Sequence, residues 1–351
     1  MPRFMRSLLM TSSLVAGLPL AALPAHALDG VVASIKPVHS LVAAVMEGVG
    51  APALIVRGSG SAHQHSLRPS DARALESAAI VFRVGESMET FLNAPLKSLA
   101  AGAKVVSLEH APGLTLLDSR EGGPFEAHSH GDDHDDAHDD GHAHDGHAQD
   151  GHAHDDHGEH DHAHEDHAHE DHGHGDHGGH DLHVWLDPEN AKAMTAEIAR
   201  VLAEADPANA ARYAANAQAY SGRLDALIAE VASTVEPVRA RPAIVFHDAY
   251  QYFEKRFGID VAGSITVSPE VLPGAQRLAE IRAKVEELGA TCVFSEPQFE
   301  PKLVSVVIEG TQARTGVLDP LGAAIADGPD LYVQLIRDLG TSFATCLSQA
   351  G

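Results

Sequence analysis

Thiols, indoles and positive charges are all scarce in this 351-residue chain, which has two cysteines, one tryptophan and 24 Lys and Arg against 50 Asp and Glu. Each scarcity excludes something. Cys292 and Cys346 lack the C-x-x-C spacing of a redox or zinc-staple pair, so in an oxidising compartment they read as one structural disulfide that pins the C-terminal helix. The formal charge of −26 argues against nucleic acid or an anionic membrane as partner. Past the N-terminus no segment offers about 20 continuous apolar residues, the length a membrane-spanning helix needs. H-E-x-x-H, a nucleophile elbow and a phosphate-binding loop are missing too, which leaves an exported zinc hydrolase without its machinery.

What is present divides the chain. Residues 1–27 carry Arg3 and Arg6, then an apolar stretch ending in Ala25-His26-Ala27; this reads as an export signal cleaved after Ala27. The remaining length suits two medium lobes. Residues 28–206 and 238–351 alternate β-branched runs with helical apolar spacing, the pattern of parallel α/β structure. Between them, 207–237 opens on Asp206-Pro207 and spaces Tyr213, Tyr220, Leu224, Leu227 and Val231 along one helical face. That predicts one long rigid connecting helix of roughly seven turns. Within the first lobe the pattern stops over 120–181. Within it, residues 128–180 hold 19 of the 26 histidines, together with 17 acidic residues and no Lys or Arg. Such a composition cannot bury enough surface to offset its ordering entropy, so a disordered loop is expected.

Four histidines or carboxylates outside the tract sit beside structural breaks. His63 lies in a Gly/Ser-rich loop ahead of a helix that Ser70 or Asp71 is placed to cap. His183 lies in a short apolar segment, LHVWL, read as a strand that ends at the helix start Asp187-Pro188. His247 and Asp319 follow hydrophobic runs, at the strand end where parallel α/β sheets bind ligands. Three imidazoles and a carboxylate suit tetrahedral zinc, with Zn–N at about 2.0–2.1 Å, whereas manganese prefers more oxygen. The 120 residues from His63 to His183 and 64 from there to His247 exclude a finger-type staple. Ligands at such spacing would converge from both lobes.

Several motifs in one order then carry a resemblance over essentially the whole mature chain: SIKP at 34–37, HQHSLRPSD at 63–71, VGESMETF at 84–91, LHVWLDPENA at 182–191, VFHDAYQYFEKRFG at 245–258, SPEVLPGAQRLAEIR at 268–282, CVFSEPQF at 292–299 and LDPLG at 318–322. The sequence resembles the periplasmic metal-binding receptors of ABC importers, and within them zinc receptors of the ZnuA type. The resemblance implies two α/β lobes bridged by a long helix, a Zn2+ ion carried as cargo between them, an ABC-importer permease as partner, a monomer, and no enzymatic activity. It implies His63, His183 and His247 as ligands and a Cys292–Cys346 disulfide. Ala62 stands where some zinc receptors have Glu, so Asp319, a water or His65 is left as the fourth ligand. Manganese or another divalent ion is the alternative cargo.

The tract offers many weak sites, because a flexible loop must order itself on each binding event. His172, His174 and His177 are candidate auxiliary ligands there, with His65 near the interior site. The tract is expected to capture zinc at low affinity and pass it inward, its acidic residues raising the local cation concentration. Protonation near the ordinary imidazole pKa of about 6.5 weakens both kinds of site.

Overall fold

The computed structural model describes residues 28–120, 125, 179–266, 272–289, 291–299 and 302–349. The expected export signal and cleavage after Ala27, nearly all of the histidine tract, and the candidate ligands His172, His174 and His177 lie outside the described residues.

The first lobe builds a parallel sheet from β1 (Val31–Ala33), β2 (Ala53–Leu54), β3 (Ile80–Arg83) and β4 (Lys104–Ser107), in the order β2-β1-β3-β4. Helices α1 (Lys36–Val45), α2 (Pro69–Glu76) and α3 (Asn93–Ser98) make the crossovers. The run VVA of β1 is buried throughout, as a strand covered on both faces must be. Helix α2 starts on an exchange with Asp71: its carboxylate accepts from the Arg68 backbone N–H at 2.9 Å. Of the two caps expected there, Asp71 does the work from inside the first turn.

Asp187 caps α4 (Pro188–Ala205), its carboxylate accepting from Glu189 N–H at 2.9 Å with Pro188 in the first turn. The connecting helix α5 runs Ala210–Val235 after a 3-10 turn, and buries Tyr213, Tyr220, Leu224, Leu227 and Val231. The second lobe repeats the first lobe's sheet. Strands β5 (Ala243–His247), β6 (Val261–Thr266), β7 (Cys292–Ser295) and β8 (Arg314–Val317) lie parallel in the order β6-β5-β7-β8. They are linked by α6 (Gln251–Phe257), α7 (Ala275–Leu288) and α8 (Lys302–Ile308), and α9 (Leu331–Gln349) closes the chain. Helix α6 stops at Gly258, whose φ of 70° is a left-handed cap open to glycine at little cost. The Cys292–Cys346 disulfide ties the start of β7 to the last turns of α9.

The two lobes share one hydrophobic core. Apolar residues of β1, α1, α4, α5, β5, α6 and α9 form a single cluster, while the outer face of the second sheet, under α7 and α8, holds a separate one. Helix α9 belongs to the second lobe by sequence, yet it packs on α5 and α1. Polar bonds reinforce the junction. Buried Lys36 at the start of α1 donates to the carbonyls of Ala323 and Ile325, at 3.2 and 2.7 Å, and pairs with Asp327. Lobes cemented this way resist wide hinge closure.

Candidate metal centre

Three imidazoles meet where the C-terminal ends of both sheets face each other. His247 is the last residue of β5, so the strand fixes its backbone, and it is 3% exposed. His183, 6% exposed, precedes a 3-10 turn at Val184–Leu186. The strand expected across LHVWL is therefore replaced by a turn, because Asp181 takes the backbone N–H of His183 at 2.9 Å and bends the chain. His63 sits in coil, where the Ser61 hydroxyl accepts from the His63 N–H at 3.1 Å. Arg57, the Arg68 N–H and Ser70 all donate to Asp71, so this loop is held at its base rather than at its tip. Burial opposes the Asp71 charge, but the bonds from Arg68 and Arg57 hold its carboxyl below the ordinary value.

The Nε2 of His183 lies 3.3 Å from that of His63 and 3.4 Å from that of His247. Among the described residues these three form a group whose ligand atoms all fall within 4.8 Å of one another. A carboxylate grips two of the rings from behind. Asp181 Oδ1 lies 2.7 Å from His183 Nδ1, and Glu296 Oε1 lies 2.7 Å from His247 Nδ1. A carboxylate only accepts, so each places the imidazole proton on Nδ1 and leaves the Nε2 lone pair aimed inward. Asp181 is itself held on its backbone, by Leu117 and by the Tyr252 hydroxyl.

The enclosed space at the three Nε2 atoms measures about 10 Å³, room for roughly one water-sized particle. Trp185 forms part of its wall, its indole N–H donating to Pro320 O at 2.9 Å. Glu296 and Gln298 are two further wall residues; among the described residues Gln298 Oε1 has no hydrogen-bond donor, and Glu296 Oε2 has the buried Tyr250 hydroxyl near it. Beside His247, Arg120 from the base of the tract forks onto Asp248 and Glu254. Burial pushes the Glu254 carboxyl up to about 7 even with Arg120 on it.

The remaining candidates stand elsewhere. Asp319 lies outside the three-histidine group: its oxygens accept from the backbone N–H groups of Leu321, Gly322 and Ala323 and from Gln298, at 2.6–3.1 Å. In the structure it caps a turn, and the expected place among the ligands is not one this arrangement gives it. His65 turns away as well, its Nε2 3.5 Å from Asp71 and its ring against Phe91. Sequence reasoning missed Asp181 and Glu296. The first had a signal in the D-x-H spacing at 181–183; the second, 49 residues from His247, is a neighbour only once β5 and β7 pair.

The family model for the periplasmic zinc-uptake complex component A, ZnuA, matches residues 31–346. A high-affinity zinc uptake system protein ZnuA from Brucella suis is 59% identical over 98% of this chain and 99% of its own, and one from Paracoccus denitrificans is 42% identical over 95% and 97%. In fold the chain is similar to a ZnuA crystal structure (TM-score 0.66, 22% identity, covering 90% of this chain and 98% of that one). It is equally similar to the periplasmic zinc-binding protein TroA of Treponema pallidum (TM-score 0.66, 18% identity, 90% and 98%). This chain belongs to the ZnuA family of periplasmic zinc-uptake components.

Proposed function

We propose that the chain is a periplasmic receptor that takes up one Zn2+ through the Nε2 atoms of His63, His183 and His247 and delivers it to an ABC permease. The observation that carries this is a distance. Tetrahedral zinc with bonds of about 2.0–2.1 Å sets neighbouring nitrogens about 3.3 Å apart, and the Nε2 pairs stand at 3.3 and 3.4 Å. With both Nδ1 protons fixed by carboxylates, lone pairs of His183 and His247 converge on one point, an arrangement that repels itself unless a cation sits there. Because Asp319 is engaged in its turn, a water completes the shell, with Glu296 Oε2 and Gln298 Oε1 as its acceptors. Nitrogen donors favour zinc over manganese at this centre.

The ligand-bearing lobes are 28–206 and 238–351, joined by 207–237, and the receptor acts as a monomer. Export follows cleavage after Ala27, and the tract supplies weak auxiliary sites, His172, His174 and His177 among them. The chain acts as a carrier rather than an enzyme, in keeping with the zinc-uptake components it is similar to and with an interior space of about 10 Å³ that suits a single ion. Competition titration of protein lacking 128–178 tests this. One tight zinc equivalent, weaker manganese binding and loss of the tight site in His183→Ala are expected. Equal manganese affinity, or a tight site that survives His183→Ala, would overturn the reading.

A further inference from the structure

A centre this enclosed needs a way in, and its walls differ. Behind His183 stands Asp181, 7% exposed and pinned through its backbone to Leu117 and Tyr252. Behind His247 stands Glu296, with no side-chain exposure, and Phe299 stacks on Phe246 beside it. Trp185 and Pro320 close a third side through their hydrogen bond. His63 is the exception. It is half-buried and lines both the inner space and an open cleft of about 430 Å³ on the outside of its loop.

We propose that zinc enters and leaves through this cleft, walled by Gln64, His65, Ser66, Thr90 and Phe91, with His63 as the imidazole that meets the ion first. The proposal rests on the three-imidazole reading above. Gln64, Ser66 and Thr90 are exposed, polar and uncharged, so the passage neither repels a divalent cation nor traps it as a carboxylate would. The acids behind the wall are buried and already engaged: Asp71 by Arg57 and the Arg68 N–H, and Glu89, next to Thr90, by the Ser34 hydroxyl and the N–H groups of Val84 and Gly85. His63 also has the backbone to move: residues 57–68 form neither helix nor strand, so its imidazole can swing without breaking a ladder of hydrogen bonds. His183 and His247, each gripped by a carboxylate, stay as the fixed half of the site.

Trp185, the chain's one tryptophan, lies with its ring 5.3 Å from that of His183, so its fluorescence reports arrival at the interior and not at the tract. Stopped-flow Zn2+ association, and dissociation into excess EDTA, are measured on the full chain and on Gln64→Phe, Thr90→Tyr and Phe91→Ala. Narrowing by Gln64→Phe or Thr90→Tyr is expected to slow both rates together, by about tenfold, with Kd unchanged. Opening by Phe91→Ala raises both. Rates unmoved in the two narrowed variants would overturn the route, and so would a changed Kd at constant association rate. His183→Ala separates the two claims. Tight binding that survives it removes the three-imidazole reading, whereas its loss together with unmoved rates removes only the route.

Discussion

The two sheets have the same strand order, and each buries a glutamate beyond the end of the strand next to its first one. In the first lobe Glu89, following β3, accepts from Ser34 at the end of β1 at 2.5 Å and from the N–H groups of Val84 and Gly85. In the second lobe Glu296, following β7, takes His247 at the end of β5 at 2.7 Å. One carboxylate holds a hydroxyl and backbone, and the other holds an imidazole of the three-histidine group. The first lobe consequently supplies its imidazoles from irregular segments, His63 in coil and His183 before a turn, while the second supplies His247 from the strand itself. One topological slot is scaffold in one lobe and chemistry in the other.

Breaking the second-lobe slot should have the largest effect. His247→Ala is expected to lower zinc affinity by more than about a thousandfold, roughly 4 kcal/mol, in a chelator competition on protein without the tract. Ser34→Ala, the matching change in the first lobe, leaves zinc affinity unchanged and acts on stability. Next in size is the clamp beside His247. Arg120→Met leaves Asp248 and Glu254 buried without their cation, and urea unfolding of the apo protein should lose about 3 kcal/mol.

Smaller effects sharpen the comparison between the glutamates. Glu296→Gln should weaken zinc by about 10- to 100-fold, the usual cost of losing a partner behind a ligand, because a neutral amide accepts the Nδ1–H more weakly and can also turn its NH2 to the ring. Glu89→Gln should leave zinc binding alone and alter pH dependence instead. Burial, offset in part by Ser34, Val84 and Gly85, pushes Glu89 from 4.5 up to about 6. The folded state therefore holds this proton more tightly than the unfolded chain. Its stabilising contribution is full below pH about 4.5 and is lost as pH rises through about 6, a change of about 2 kcal/mol. Stability of the wild type relative to Glu89→Gln should fall by that amount across the interval. A flat difference would mean that folding leaves the Glu89 carboxyl at its ordinary value.

Much of this was legible in the residues. Alternating runs marked both lobes, and the spacing from Tyr213 to Val231 marked the connecting helix, because periodicity survives whatever the tertiary setting. His63, His183 and His247 stood out through their places beside breaks in apolar runs. Contacts made only by folding were less visible. LHVWL has strand-like composition, and only the bond from Asp181 to the His183 N–H makes it a turn. Asp319 looks like a ligand in LDPLG because nothing in that motif shows three N–H groups turning back to claim its oxygens. The shared core depends on α9 crossing to α1 and α5, a pairing that a sequence-defined second lobe hides.

The central claim is that three imidazoles, and no carboxylate, hold the ion. Zinc K-edge X-ray absorption on protein lacking 128–178, loaded with one equivalent, measures this most directly. The account predicts three imidazoles and one oxygen, with Zn–N at about 2.0–2.1 Å, and an unchanged spectrum in Asp319→Asn. Fewer than three imidazoles, or a spectrum that changes in Asp319→Asn, would contradict it.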